Sequence, residues 1–180
     1  TEDESPRADT SLEALGKLPT VFKKDGTVTP GNAPGLNDGA AALVLMSAAT
    51  AKKRGVQPLA RVTAYANGAM EPKDLFYAPV VAVNRVLQQL GQKIDYFDLI
   101  EVNEAFAAQT LADGKELGWD WDRVNVNGGA VALGHPIGAS GARILVTLLH
   151  ALADRGQKTG LATLCLGGGG AVALAVERIS

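Results

Sequence analysis

A mixed α/β fold, with a mostly parallel sheet and helices on its faces, is predicted by three features of this 180-residue sequence. Short apolar runs typical of strands alternate with segments whose apolar residues recur at helical spacing. Glycines and capping residues fall between these segments, where helices end and turns form. Four consecutive glycines separate the last two apolar runs, which predicts an antiparallel hairpin at one edge. The expected order of elements is β-α-β-α-β-α-α-β-β.

The first half of the sequence predicts an irregular lead-in and two βα units. The lead-in contains one short helix, capped at Thr10 or Ser11 and stopped by Gly16. Ser47 is the expected cap of the next helix, and Gly91 lies just past the end of the one after it. The two units are a strand, a helix, a strand and a helix, at residues 40–46, 47–55, 61–66 and 77–90.

The second half predicts a buried strand at residues 97–102, which runs directly into a helix at 104–117. A helix at 138–153 begins in a glycine-rich loop, and strands 160–166 and 171–178 form the hairpin. Open α/β sheets bind ligands beyond the carboxyl ends of their strands. Polar residues at these ends are therefore the first candidates for a functional site.

Composition and charge exclude several classes of function. Seventeen basic and nineteen acidic residues give a net charge of -2, and no basic run exceeds residues 52–54, so a nucleic-acid surface is not expected. Apolar stretches are shorter than the roughly 18 residues of a membrane span, and the acidic start does not resemble a signal peptide. The single cysteine favours a reducing, cytoplasmic compartment. One cysteine and two distant histidines lack metal-ligand spacing, so no metal site is expected.

Asn103 follows the strand at residues 97–102 and is the first candidate site residue. Its amide can position a water or donate to a developing oxyanion. The alternative is that Asn103 only caps the helix that follows.

His135 and Cys165 lie in glycine-rich loops. An imidazole can take a proton from a thiol or donate one to a thioester oxygen, although a histidine satisfied by backbone groups is the alternative. Glycine N–H groups beside Cys165 can hold an anion, but a lone cysteine is often a small buried apolar residue. His150 is expected to be structural. The loop GHPIGASGAR matches neither a dinucleotide nor a P-loop fingerprint.

Four motifs together resemble the C-terminal half of thiolases, in the acetyl-CoA acetyltransferase branch. They are GNAPGLNDGAAALVLM, EVNEAFAAQ, NVNGGAVALGHPIGASGAR and CLGGGGAVALAVE, and the resemblance runs from about Asp3 to the end of the chain. It implies a thiolase-like fold half in which residues 31–180 form the C-terminal domain. Residues 1–30 would belong to the coenzyme A-binding loop region, and the N-terminal domain is expected to be absent from this chain.

The resemblance implies a reversible Claisen condensation of two acyl-CoA molecules, with coenzyme A thioesters as substrates and no permanently bound cofactor. Cys165 would remove and return the α-proton. His135 would activate the nucleophile and donate to the thioester oxygen, and Asn103 would hold an oxyanion-hole water. The backbone N–H of Gly167 would complete the oxyanion hole of the acyl-enzyme.

The same resemblance implies a coenzyme A and pantetheine tunnel lined by Arg7, Ala33, Leu36, Ala105 and Phe106. Two residues depart from the family pattern. Pro34 stands where a serine contacting pantetheine is expected, and Ala14 where a polar residue near the adenine is common.

The family's nucleophilic cysteine has no counterpart here, because Cys165 is the single thiol and occupies the acid/base motif. A second chain, the N-terminal thiolase half, is therefore expected to supply it within a hetero-oligomer. Two alternative hypotheses for the function remain: a β-ketoacyl-synthase-type condensing enzyme, and a non-catalytic acyl-CoA-binding or scaffold subunit.

Overall fold

The computed structural model describes residues 7–179 as one four-stranded sheet with helices on both faces. Short 3-10 helices lie at Pro72–Tyr77, Ile94–Tyr96 and Trp121–Arg123. The strands are β1 (Ala60–Ala69), β2 (Leu99–Val102), β3 (Thr159–Leu166) and β4 (Gly170–Arg178). The α-helices are α1 (Leu12–Gly16), α2 (Ala48–Arg54), α3 (Ala78–Leu90), α4 (Ala107–Leu117), α5 (Ala130–Leu133) and α6 (Ser140–Asp154).

The sheet is mixed, which confirms the predicted α/β class, but it is less parallel than predicted. Its order is β1-β4-β3-β2, and only the pairing of β2 with β3 is parallel. The β3–β4 hairpin is confirmed, with Cys165 opposite Ala171. Because the hairpin places β4 between β3 and β1, both ladders of β4 are antiparallel.

The predicted strand at residues 40–46 is wrong. These residues lack strand structure, and Val44 and Leu45 are 86% and 73% exposed. A strand needs a neighbour to take up its backbone hydrogen bonds, and the described part of the chain places none beside this segment.

Most helix ends lie at the capping serines and glycines that the sequence predicted. The side-chain oxygens of Ser11 and Ser47 accept hydrogen bonds from the first turns of α1 and α2, and Gly55 and Gly91 end α2 and α3 in the left-handed region. α4 begins three residues later than predicted, because the backbone stays extended at Phe106.

Two apolar clusters lie on opposite faces of the sheet. One contains Ile100, Val102 and Leu161 from the strands together with α3 and the end of α4. The other contains Leu99 and Ala162 with the apolar side of α6. Alternation along β3 therefore places Thr163 and Cys165 on the face covered by α3 and α4. Between residues 7 and 179, no helix is long and apolar enough to cross a membrane.

Candidate active site

Asn103 lies beside the end of β3 and is fully buried. Its backbone N–H donates to the carbonyl of Thr163 at 2.9 Å. Asn103 is therefore paired with the residue of β3 that lies two positions before Cys165. Its side-chain Nδ2 lies 3.3 Å from Nε2 of His135. The alternative that Asn103 caps α4 is wrong, because Phe106 precedes that helix and no side chain caps it.

The His135 ring sits between two side chains that fix its proton. The Ser140 hydroxyl donates to the carbonyl of Pro136 at 3.0 Å, so its oxygen is left to accept from Nδ1–H of His135 at 2.7 Å. This assigns the proton to Nδ1 and leaves the Nε2 lone pair facing the amide of Asn103. The arrangement leaves Nε2 of His135 unprotonated, as the acceptor of the Asn103 amide at the carboxyl ends of β2 and β3.

The backbone before the ring is held by the segment at residues 35–37. The His135 N–H points to the carbonyl of Gly35 at 3.3 Å and to Oδ1 of Asn37 at 3.2 Å. Leu36 forms an isolated parallel bridge with His135. Gly134 has a φ of 96°, a conformation that a side chain would strain. The backbone conformation at His135 therefore depends on its contacts with residues 35–37 as well as on Gly134.

Burial lowers the pKa of His135, and the nearby positive charge of Arg143 lowers it further. Both causes disfavour the imidazolium. The ring is therefore neutral near pH 7, which is the state that accepts a proton from a thiol.

Cys165 is the penultimate residue of β3, lies on the same face as Thr163 and remains partly exposed. Burial raises the pKa of its thiol, and the negative charge of Asp113 raises it further. The resting side chain is therefore a protonated thiol, and its thiolate, once formed, is a stronger base than an exposed one. The alternative of a fully packed core cysteine does not fit this partial exposure.

The glycine loop after Cys165 has two residues in the left-handed region, Gly168 at φ 82° and Gly169 at φ 96°. The carbonyl of Gly169 accepts from the N–H of Met70 at 2.9 Å, and a Cβ at Gly169 would collide with the carbonyl of Met70. Gly167 is exposed and has open space where a Cβ would be. Gly169 is thus required by packing, while Gly167 leaves its surroundings accessible to a ligand.

The predicted coenzyme A contacts fall in three places. Phe106 packs edge-on against Phe22 and Phe76, at 5.6 and 5.3 Å between ring centroids, and Ala105 beside it is buried. The turn before Ala33 is tied to α4, because the Asn32 carbonyl accepts from Ala107 N–H at 3.0 Å. Leu36 borders His135, and Arg7 lies exposed in the lead-in.

Sequence reasoning missed the residues that support the site. Ser140 follows His135 by five positions in GHPIGAS and fixes its tautomer. Asn125, in the motif NVNGG, pairs its side-chain amide with both backbone groups of Val102 at 2.9 and 3.0 Å. It thereby holds the end of β2 just before Asn103. Both residues lie within the motif NVNGGAVALGHPIGASGAR, so polar side chains in that motif besides His135 were the available signal.

Sequence reasoning also missed a buried ion pair behind His135. Glu101 is 1% exposed, and its Oε2 lies 3.8 Å from Nη1 of Arg143 on α6. Burial raises the pKa of Glu101 to about 7, and the charge of Arg143 opposes that shift. The visible signal was a carboxylate within the apolar strand DLIEV. Within residues 7–179, no group of three or more His, Cys, Asp or Glu side chains is placed to hold a metal ion.

Comparisons with known proteins agree with this geometry. The family model described as "Thiolase, C-terminal domain" matches residues 56–178, and the model described as "Thiolase, N-terminal domain" matches residues 1–49. Acetyl-CoA acetyltransferase of Pseudomonas aeruginosa is 60% identical over 98% of this chain and 45% of its own length. The Escherichia coli protein of the same name is 57% identical over 100% of this chain and 46% of its own length.

Solved structures give the same result. The Bacillus anthracis acetyl-CoA acetyltransferase has a TM-score of 0.95 and 52% identity, over 99% of this chain and 45% of that one. Human mitochondrial 3-ketoacyl-CoA thiolase in complex with CoA has a TM-score of 0.91 and 44% identity, over 98% of this chain and 45% of that one. The present chain thus spans about half the length of the relatives it matches.

Proposed function

Because this chain belongs to the thiolase family, we propose that it forms the proton-transfer part of an acetyl-CoA acetyltransferase active site. The reaction is the reversible condensation of two acetyl-CoA molecules to acetoacetyl-CoA and coenzyme A. Two relatives named acetyl-CoA acetyltransferase support the choice of acetyl-CoA as the substrate. A structural neighbour in complex with CoA supports coenzyme A as the group that carries the acetyl unit. The cysteine content favours a cytoplasmic reaction.

The observation that carries the proposal is the series Asn103–His135–Ser140. It holds a neutral imidazole with its proton on Nδ1 and its unprotonated Nε2 beside the amide of Asn103. Nε2 takes the proton of the nucleophilic thiol as that thiol attacks an acetyl-CoA carbonyl. Coenzyme A leaves as a thiolate and takes the thiol proton of Cys165, so that Cys165 becomes a thiolate. The resulting Nε2–H then donates to the thioester oxygen of the second acetyl-CoA, while Asn103 holds a water at the same oxygen.

Cys165 removes the α-proton in the second half-reaction. Its thiolate takes a proton from the methyl carbon of acetyl-CoA, and the resulting carbanion attacks the acetyl group on the nucleophile. A carbon–carbon bond forms, the enzyme's carbon–sulfur bond breaks, and acetoacetyl-CoA is released. The nucleophile leaves as a thiolate and regains its proton from Nε2–H of His135. The N–H of Gly167 stabilises the oxyanion formed on the acetyl group. The raised pKa of Cys165 suits this step, because it makes the thiolate a stronger base.

The coenzyme A arm is proposed to pass along the surface formed by the lead-in and the start of α4. Phe106 and Ala105 would contact the pantetheine near the thioester, and Leu36 would border it beside His135. Ala33 and Arg7 would contact the coenzyme farther out. Pro34 and Ala14 alter the polar groups available to the coenzyme, so this part of the tunnel is expected to be more apolar than the family pattern.

The nucleophilic cysteine is proposed to come from an N-terminal thiolase half on a separate chain, within a hetero-oligomer. The reason is that the reaction needs two thiols and these 180 residues contain one. The test is denaturing electrophoresis and mass spectrometry of a fully active preparation. A second polypeptide is expected, and full activity from the 18.6 kDa species alone would overturn the two-chain proposal.

Substitution of Cys165 tests the catalytic assignment. In the assembled protein, Cys165→Ala should reduce condensation and solvent hydrogen exchange into acetyl-CoA by about 10²- to 10⁴-fold, the range for a lost acid–base group. Acetylation of the nucleophile should persist. The control is Leu166→Ala, which changes the exposed neighbouring side chain.

Unchanged condensation in Cys165→Ala would favour a binding or scaffold subunit. Turnover that requires malonyl-CoA in place of acetyl-CoA would favour the synthase class.

A further inference from the structure

Glu101 and Arg143 form a buried ion pair that the proposed reaction does not use. Oε2 of Glu101 lies 3.8 Å from Nη1 of Arg143, and the two side chains are 1% and 18% exposed. In residues 7–179, neither carboxylate oxygen and none of the three guanidinium nitrogens has a hydrogen-bond partner. A buried ion pair is often no more stabilising than well-packed apolar side chains of similar volume. Stability alone therefore does not explain why charges lie at this position.

The ion pair connects β2 to the first turn of α6. These two elements are in contact, and Leu99 of β2 packs in the same apolar cluster as Ile144 and Leu148 of α6. Glu101 lies two residues after Leu99, so it faces α6 as well. Arg143 directly precedes Ile144, in the turn where α6 begins. The ion pair is thus a direct connection between the facing sides of the strand and the helix.

The same two elements carry the side chains that contact the ring of His135. Asn103 directly follows β2, and its Nδ2 lies 3.3 Å from Nε2 of the ring. Ser140 is the first residue of α6, and its oxygen lies 2.7 Å from Nδ1. Asn103 is two strand residues from Glu101, about 7 Å. Ser140 is three helix residues from Arg143, a rise of about 4.5 Å. The ring and the ion pair are therefore neighbouring connections between β2 and α6.

One other carboxylate acts on the guanidinium. Burial lowers the pKa of Arg143, and the negative charges of Glu101 and Glu104 oppose that shift. Oε2 of Glu104 accepts a hydrogen bond from the N–H of Val131 at 2.9 Å, which connects it to α5. Among residues 7–179, Glu101 is the carboxylate at ion-pair distance from Arg143. Glu101 is therefore the residue that connects this cation to β2.

A movement of α6 relative to β2 would disturb both contacts of the His135 ring. Hydrogen bonds weaken as their distance and angle depart from a narrow range, so a shift of the helix weakens the contact with Ser140, the contact with Asn103, or both. The ion pair opposes such a shift, because its attraction acts between the same two elements in a buried, weakly polar environment. The contacts of residues 35–37 hold the backbone of the ring but do not connect the strand to the helix.

We propose that Glu101 and Arg143 are positioning residues for the ring of His135. Their ion pair fixes the spacing between β2 and α6, and with it the positions of the two side chains that contact the ring nitrogens. The value of this position for catalysis rests on the proposed role of His135 as a base, whereas the effect on the geometry of the ring does not. A displacement of about 1 Å at a catalytic group can cost about 10²-fold in rate, so a small movement of α6 is sufficient.

The test is the double variant Glu101→Met with Arg143→Met, in the assembled protein labelled at histidine for nitrogen NMR. Because apolar side chains of similar volume replace both charges, the free energy of unfolding should stay close to that of wild type. The His135 signals should change, with a larger population protonated at Nε2, while the signals of His150 stay in place. The single-turnover rate of acylation of the nucleophile should fall about 10- to 100-fold.

Two single variants separate charge from packing. Arg143→Lys keeps a cation on the helix and should retain most of the acylation rate and of the wild-type His135 signals. Glu101→Gln keeps the size of the side chain and removes its charge, so the His135 signals should move as in the double variant, but by less. All spectra are recorded above the pKa of Glu101, about 7, so that the wild-type carboxylate is charged.

The matched control is Lys158→Met with Glu177→Met. It applies the same pair of substitutions to an ion pair of 2.9 Å outside the site, where the Lys158 side chain is 68% exposed. The His135 signals and the acylation rate should both equal those of wild type. A change as large as that in the buried double variant would show that the response is not specific to the connection between β2 and α6, and would overturn the inference.

Wild-type His135 signals in a folded Glu101→Met, Arg143→Met protein would also overturn the inference, even if its stability had fallen, because the pair would then contribute only to packing. If that protein does not fold, Glu101→Gln decides, and unchanged His135 signals in it would overturn the inference equally. The NMR result needs no turnover. A failure of the proposed function would appear separately, as a wild-type assembly that is not acylated by acetyl-CoA.

Discussion

Removing the Ser140 hydroxyl should release the tautomer of His135. In Ser140→Ala the Nδ1–H loses its acceptor, which now lies at 2.7 Å within a fully buried position. Alanine fits the space, and the Pro136 carbonyl keeps the N–H groups of Ala139 and Ser140, at 2.7 and 2.8 Å, as donors. The change therefore isolates the hydrogen bond to the ring.

The magnitude follows from that single hydrogen bond. A net contribution of about 1 kcal/mol changes the ratio of the two ring tautomers about fivefold. Because only the Nδ1–H form presents a free Nε2, acylation of the nucleophile should slow by a factor of about three to ten. Global stability should fall by about 1 kcal/mol.

The assay is nitrogen NMR of the assembled protein labelled at histidine. The chain contains two histidines, and the exposed His150 is an internal reference. Thr147→Ala is the control, since it removes a hydroxyl from the same helix that bonds the Arg143 carbonyl at 3.1 Å. An Nδ1–H tautomer as dominant in Ser140→Ala as in wild type, with unchanged acylation, would refute the assignment.

Three further predictions concern stability. Arg143→Met removes the cation that lowers the pKa of Glu101, so that pKa should rise further, and above it the free energy of unfolding in urea titrations should fall by about 1.4 kcal/mol for each unit of the rise, whereas adding Glu101→Met should restore much of the loss. The folded-state pKa of Glu101, about 7, lies above its ordinary value of 4.5, so the folded state holds its proton longer. Stability should therefore decline as pH rises from about 4.5 to about 7 and then level off, and Glu101→Gln should flatten that decline in denaturation curves. Gly169→Ala should destabilise by more than about 1 kcal/mol, seen as a lower Tm, whereas Gly167→Ala, in open space, should change Tm little.

Local sequence signals predicted elements whose causes are local. Ser11, Ser47, Gly55 and Gly91 mark helix ends because capping hydrogen bonds and left-handed glycines involve only near neighbours. The strand assignments in the second half succeeded for a similar reason. The sequence overestimated how many strand pairs are parallel. The strand order depends on where the β3–β4 hairpin lies relative to β1, and local sequence patterns do not determine that position.

The site was predicted in part. Asn103 and His135 are adjacent as the motifs implied, but their direct contact required the sheet register that aligns Asn103 with Thr163. Ser140 was missed because its contact with the His135 ring depends on how the loop between them folds, and Asp113 because its burial depends on packing. An aspartate in the middle of a helix reads as a solvated residue, and only the packing of α4 shows it to be enclosed.

The exposed segment at residues 40–46 has a practical consequence for producing this protein. A stretch without regular secondary structure, rich in alanine and leucine and without net charge or proline, leaves its backbone groups available to a strand of another molecule. Expressed by itself, the chain should self-associate through edge-to-edge pairing at high concentration. Val44→Lys should keep it monodisperse.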